Sequence, residues 1–321
     1  MEIMGECAIT RRLRTLSRFS TAVMAAAVVA MSAMSHGSPA AAQTLYTATT
    51  RGYMSPSGVV GRLYVVDPDT AGAKLVGPLR LGGGGAYVGA NGLAVHPRTR
   101  ILYGITAGVT PGIRPSLIKI DPRTAEATLV GVLGHSASDI CFDSSGKLFI
   151  WLTDLDQLGT VDLASGAATP VGSASIPGAT GGGLAIDKRG IAHLTTSTAV
   201  GTLDTVDMRT GARTMGPVLS GAPYLSAIHS LTFSPLGVLY AVNTNLAVPA
   251  KAALVIIDPT SGVVALVGAL PEDSNGLAFS PDAVATGEDS KPTWRTDAAI
   301  VVAVLIGVVV VAVMVLRKRD R

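Results

Sequence analysis

The sequence predicts an all-β fold built on a fivefold repeat, and three observations carry that expectation. A Leu-x-x-x-Asp phrase recurs at Leu63–Asp67, Leu117–Asp121, Leu158–Asp162, Leu203–Asp207 and Leu254–Asp258. A short apolar phrase recurs at Leu93–Val95, Ile140–Phe142, Leu184–Ile186, Leu231–Phe233 and Leu277–Phe279, in steps of 44 to 47 residues. The chain also holds 37 Gly and 18 Pro at only 15% charged residues, a balance that favours short strands joined by turns.

The elements follow in order within each unit. The apolar phrase comes first, as an alternating run of strand length. Next comes a Leu-aromatic phrase at Leu45-Tyr46, Leu102-Tyr103, Leu148-Phe149 and Leu239-Tyr240, represented by Ala192-His193 in the fourth copy. The Leu-x-x-x-Asp phrase is third and ends in a turn. Asp67–Gly72 and Asp258–Gly262 combine Asp, Pro and Gly, so the carboxylate can accept backbone N–H bonds, Pro presets φ and Gly takes the left-handed position. Asp162–Gly166 and Asp207–Gly211 lose the Pro, and Asp121–Glu126 loses the Gly. The fourth strand carries Val-Gly nine residues after four of these Asp residues (Val76-Gly77, Val130-Gly131, Val171-Gly172, Val267-Gly268), and Met215-Gly216 at eight after Asp207.

Four strands in about 47 residues is the size of a propeller blade. The chain opens on a second strand, Thr44–Thr49, and closes on a lone first strand, Asn275–Pro281. Pairing these N- and C-terminal strands completes one blade and removes both sheet edges. Five blades are expected, and a degenerate sixth is the alternative.

The ends read as addresses. Arg11, Arg12, Arg14 and Arg18 precede an apolar run, and Ala40-Ala41-Ala42 offers a small-residue cleavage site, so residues 1–42 read as a secretory signal peptide. Residues 298–316 are 19 uncharged residues, which span ~28 Å as a helix against a hydrocarbon core of about 30 Å. Their nine Val, two Ile and two Leu favour insertion by roughly 4–8 kcal/mol. The basic stretch 317–321 then belongs in the cytoplasm. The expected organisation is signal peptide 1–42, propeller 43–282, linker 283–297, transmembrane helix 298–316 and cytoplasmic tail 317–321. The protein is therefore expected outside the cytoplasmic membrane, anchored by its C-terminal helix. The stretch Lys291–Arg295 matches no sorting motif, which leaves a plain anchor as the simpler reading.

Of the formal net charge of +3, residues 1–42 carry +2 and the last five residues +3, leaving −2 for the body, which excludes a basic nucleic-acid surface. Cys7 falls in the leader and Cys141 stands alone in the mature chain, so no internal disulfide forms and Cys141 reads as a core thiol. Trp151 is the sole Trp of the repeat region and reads as core, which disfavours carbohydrate stacking.

The phrases Leu-Tyr, Ile-Asp-Pro-x-Thr-x-Gly and Leu-Val-Gly, with Asn275–Asp282 and Asn91–Ala94, resemble secreted bacterial β-propeller repeat proteins. They distantly resemble the gluconolactonase and senescence-marker-like propeller family. That resemblance implies a central divalent metal held in part by an Asn of the Asn275 type, with a Glu from an early strand and a catalytic Asp followed by Gly. The first blade here holds no Glu, and Asp139 is followed by Ile140.

No nucleophile elbow, zinc-protease, Cys-x-x-Cys or Walker motif occurs, which favours a non-catalytic protein. Two candidate sites remain. Asn91, Ser138, Gly182, His229 and Asn275 each lie two residues before the first-strand Leu or Ile and should ring one channel mouth, beside Asp139. Asn91, Asp139, His229 and Asn275 could hold Ca2+ or another divalent cation or a polar ligand, although no cofactor is required. The other candidate is loop length. From second-strand to third-strand Leu the intervals are 18, 15, 10, 11 and 15, so the long loops fall on the first, second and fifth blades, which adjoin in a closed ring. Their apolar and basic residues Tyr53, Met54, Ile113, Arg114, Leu246 and Lys251 suit a protein partner at the envelope. The leading expectation is thus a membrane-anchored binding or scaffold propeller; the alternative is a metal-dependent hydrolase of the lactonase type at the channel mouth.

Overall fold

The computed structural model describes residues 43–50, 61–82, 84–108, 113–173, 175, 182–195, 201–224, 227–245, 247 and 249–280. These form five antiparallel sheets, ordered from the axis outward. Blade one is β21 (Ser274–Ser280), β1 (Thr44–Thr49), β2 (Arg62–Val66) and β3 (Ala73–Pro78). Blade two is β5 (Ala90–Val95), β6 (Leu102–Thr106), β7 (Ser116–Ile120) and β8 (Glu126–Val132), with the short β4 (Arg80–Leu81) added in parallel outside β8. Blade three is β9 (Ala137–Phe142), β10 (Leu148–Leu152), β11 (Gln157–Val161) and β12 (Ala168–Pro170). Blade four is β13 (Leu184–Ile186), β14 (Ala192–Thr195), β15 (Leu203–Val206) and β16 (Arg213–Thr214). Blade five is β17 (Ala227–Phe233), β18 (Leu239–Thr244), β19 (Ala252–Ile257) and β20 (Val264–Leu270).

The inner strands contact one another in the cycle β21, β5, β9, β13, β17 and back to β21, which is a closed five-bladed propeller. The two ends of the repeat region meet as expected. Thr44 pairs with Ser280 and Thr47 with Leu277, and the Thr47 hydroxyl donates to the Gly276 carbonyl at 2.9 Å. No sixth blade occurs among the described residues.

The core lies between blades. Five apolar clusters fill the five blade–blade interfaces. One of them packs Leu45 and Val66 of blade one against Tyr240, Val242 and Leu254 of blade five, so the closing interface is as apolar as the rest. Trp151 is fully buried between blades three and four, and Cys141 is a free buried thiol there.

This packing explains the repeated phrases. The second-strand aromatic meets the last apolar residue of the next inner strand edge-on: Tyr103 on Phe142 at 5.5 Å, His193 on Phe233 at 5.3 Å and Tyr240 on Phe279 at 5.2 Å. The Val-Gly glycine lets the next blade's turn dock. A Cβ on Gly77 would lie 3.0 Å from the Thr124 carbonyl, and one on Gly268 would lie 2.7 Å from that of Thr70, across the closing interface. Gly131 faces the Ser165 carbonyl in the same way. The shorter fourth copy departs from this pattern, since Gly216 packs within its own blade on Leu203 and Asp204.

The turns correct one expectation. In each, the Asp carbonyl accepts from the N–H four residues on, and that fourth residue is left-handed: Ala71, Ala125, Gly166, Gly211 and Gly262, with φ of 61°, 62°, 76°, 74° and 74°. In blade one the left-handed residue is therefore Ala71, not Gly72. The bond to the Asp67 carbonyl fixes the position, and an Ala there accepts a backbone cost of about 1 kcal/mol.

Candidate functional site

The connections that enter the inner strands and the loops between second and third strands lie on one face. Ala107 N–H bonds the Gly89 carbonyl, Thr153 N–H the Ser136 carbonyl, and Thr50 N–H the Asp273 carbonyl. The expected mouth residues thus sit on the loop face, and the structure assigns them different work. The Asn91 amide donates to the Ala137 carbonyl at 3.0 Å, and the Ser138 hydroxyl to the Gly182 carbonyl at 2.7 Å. Both side chains tie neighbouring inner strands together.

Asp139 lies one residue further in, fully buried at the axis. One carboxylate oxygen accepts the N–H groups of Leu184 at 2.9 Å and Leu231 at 3.0 Å, from two other blades. The other accepts the Ser230 hydroxyl at 3.1 Å, and Ser230 Oγ in turn accepts the Leu277 N–H at 3.1 Å. The residues in the same register are Gly92, Gly183 and Gly276. Bare backbone at Gly92 leaves room for the carboxylate, since a Cβ there would stand 2.8 Å from Asp139 Oδ1, whereas Gly183 and Gly276 let the inner strands approach Leu231 and Leu93. Burial pushes the Asp139 acid well above its usual range, against the pull of its N–H and hydroxyl donors. Hydrogen-bond donors surround the carboxylate, and a donor shell repels a cation. Among the described residues no three His, Cys, Asp or Glu side chains group as metal ligands.

His229 and Asn275 do come together. With Thr50, Thr244, Ala250, Asp273 and Ser274 they line a recess of about 100 Å3 where blades one and five meet on the loop face. Asp273 organises it from a left-handed backbone (φ 60°). Its N–H donates to the Ala250 carbonyl at 2.8 Å, and its carboxylate accepts the Ala250 N–H at 2.8 Å. This clamps the base of the blade-five loop to the start of β21. The Asn245 side chain then accepts from Ala247 and Lys251, closing that loop on itself. Sequence reasoning missed Asp273; its signal was an acidic residue just before Asn275 with no counterpart in the other copies.

Of the loop candidates, Arg114 and Lys251 are exposed on this face, whereas Ile113 is half-buried against the core between blades one and two. Tyr53, Met54 and Leu246 lie outside the described residues.

The opposite mouth is ringed by apolar side chains, but the surface it exposes is more polar than apolar. Val95, Phe142, Ile186, Phe233 and Phe279, the last residues of the apolar phrases, line a recess of about 140 Å3 together with the residues that precede them, Ala94, Cys141, Ala185, Thr232 and Ala278. The Asp139–Ser230 bond lies one register inward, beneath Ile140 and Leu231, so each mouth opens onto its own recess.

Neither a protein-family model nor a curated protein matches this chain in sequence. Among solved structures, it is similar to a chain of a nidogen/laminin complex at 12% identity and TM-score 0.47, covering 75% of this chain and 100% of that one. A gluconolactonase from Xanthomonas campestris shares 13% identity at TM-score 0.43, covering 67% of this chain and 71% of that one. TolB from Acinetobacter baumannii shares 15% at TM-score 0.40, covering 68% of this chain and 51% of that one. The sheet order and the paired ends of the repeat make the chain a five-bladed β-propeller.

Proposed function

We propose that this chain is an exported propeller, held at the cell envelope by residues 298–316, that binds a protein partner through its loop face. Residues 1–42 and 298–316 lie outside the described residues, among which no helix is long and apolar enough to cross a membrane. The export and anchoring parts of the reading rest on the sequence.

The observation that carries the binding part is the recess at the junction of blades one and five. It joins His229 and Asn275 of the inner strands to Ala250, at the base of a long loop. Lys251, next to Ala250, and Arg114 of blade two are exposed on the same face. A polar pocket beside loops of mixed apolar and basic character suits an interface with a polar rim. The reading calls for no cofactor and no chemical step.

A photo-crosslinking side chain at Lys251 or Arg114 of the full chain in intact cells tests it. Discrete adducts from these positions, weakened by Asn275→Ala together with His229→Ala, are expected. Adducts equally strong from Lys74, on the turn face, would overturn the reading.

A further inference from the structure

Each second strand carries one ring packed towards the next blade: Tyr46, Tyr103, Phe149, His193 and Tyr240. Only in blade four is that ring one that titrates near neutral pH. His193 is 5% exposed and meets Phe233 of blade five edge-on at 5.3 Å. Its Nε2 stands 3.6 Å from Asp187 Oδ2, too far for a hydrogen bond, and has no other partner. Asp187 is committed to its own turn, where it accepts the N–H groups of Arg189 and Ile191 and the Arg189 guanidinium, each at 2.9 Å. The blade around this ring is thinly built. Among the described residues its strands run to three, four, four and two residues, and its Gly216 packs within its own blade instead of receiving a turn of blade five.

A neutral imidazole tolerates such a place, because one unpaired ring nitrogen costs far less than a buried charge. Burial pushes the His193 pKa below its ordinary 6.5, against the pull of Asp187 and with a smaller push from Arg189. These are the charged groups that act on it. Ala185 and Thr205, paired with it in β13 and β15, carry no charge, nor do Phe233 of β17 and the Ser234–Gly237 turn behind it. We propose that the seam between blades four and five is an acid-operated joint: protonation of His193 draws its ring from Phe233 towards Asp187, and blade four loosens from blade five while the other seams hold. The proton comes from solvent and returns to it when the pH rises, so the joint is reversible. The closed seam holds that proton less tightly than the open one, so its stability is complete above pH 6.5 and is lost as pH falls through the lowered value. The joint is separate from the loop-face recess and acts whatever binds there.

Amide hydrogen exchange of the full chain in lipid nanodiscs, read strand by strand at about pH 7.5 and pH 5 and expressed as protection factors, tests it. Protection in β13, β14 and β15 should fall about threefold or more and recover on return to the higher pH, with β1, β6 and β10 unchanged or better protected. The window isolates the histidine: the turn carboxylates Asp187 and Asp207 are held below 3.8 and stay ionised throughout, and Asp139 changes stability in the opposite direction. His193→Tyr, which gives blade four the ring of blades one, two and five, should abolish the loss. If that variant fails to fold, His193→Phe, with the ring of blade three, decides. No loss in blade four, an equal loss in all five blades, or a loss that persists in the ring variant would each overturn the proposal.

Discussion

Asp139 and Ser230 stand 91 residues apart in the chain and bond across the propeller axis at 3.1 Å. Through that bond and the N–H groups of Leu184, Leu231 and Leu277, four of the five inner strands share one polar node. Asp139→Ala would leave two buried N–H groups without acceptors, at about 1–3 kcal/mol each. We expect a loss of about 2–4 kcal/mol in denaturant unfolding. Asp139→Asn keeps an acceptor oxygen and should cost under about 2 kcal/mol. Equal losses in the two variants would show that volume, not hydrogen bonding, matters there.

The same residue sets a pH dependence. Burial raises the Asp139 acid well above the 3.8 of an ordinary Asp, so the folded state binds its proton more tightly than the unfolded state does. Its contribution is fully present below that ordinary value and is lost as pH rises through the raised one. The turn carboxylates run the other way. Asp121, held low by the Arg123 N–H, and Asp258, held low by the Ser261 hydroxyl, contribute above the ordinary value and lose that contribution as pH falls through their lowered ones. The Tm of the wild type relative to Asp139→Asn should therefore fall steadily from pH 4 upward. A difference that grows with pH would contradict this sign.

The docking glycines make a prediction about blade contacts. Gly131→Ala places a methyl against the Ser165 carbonyl of the next blade. Overpacking of this kind costs about 1–3 kcal/mol. Gly82→Ala, where the new methyl meets nothing within 4 Å, should be nearly neutral. Thermal unfolding of both variants checks the contrast.

Blade number, strand order and ring closure were legible because most blades repeat the same physical demands: an aromatic to cover the next inner strand, an Asp to cap a turn, a Gly for the neighbour's turn. The axis was less legible. Gly92, Asp139, Gly183, Ser230 and Gly276 are ordinary turn residue types, and only their common register shows that Gly92 gives way to the carboxylate while Gly183 and Gly276 let neighbouring inner strands approach. Asn91 and Ser138 belonged to the expected ring, yet they serve backbone carbonyls of the next blade, a partner no local pattern reveals.

The anchor is tested by truncation. Removing residues 298–321 should move the protein from the membrane fraction to the soluble exported fraction with its Tm unchanged. Continued sedimentation with membranes would contradict an anchor confined to that segment.

The central claim is that the loop face, across blades five, one and two, captures a protein partner. The most direct measurement shortens those three loops to the length of the blade-three connection and reads partner crosslinking and thermal stability together. The account predicts loss of crosslinking with a Tm within a few degrees of wild type. Crosslinking that survives the shortened loops in a stably folded protein would contradict it.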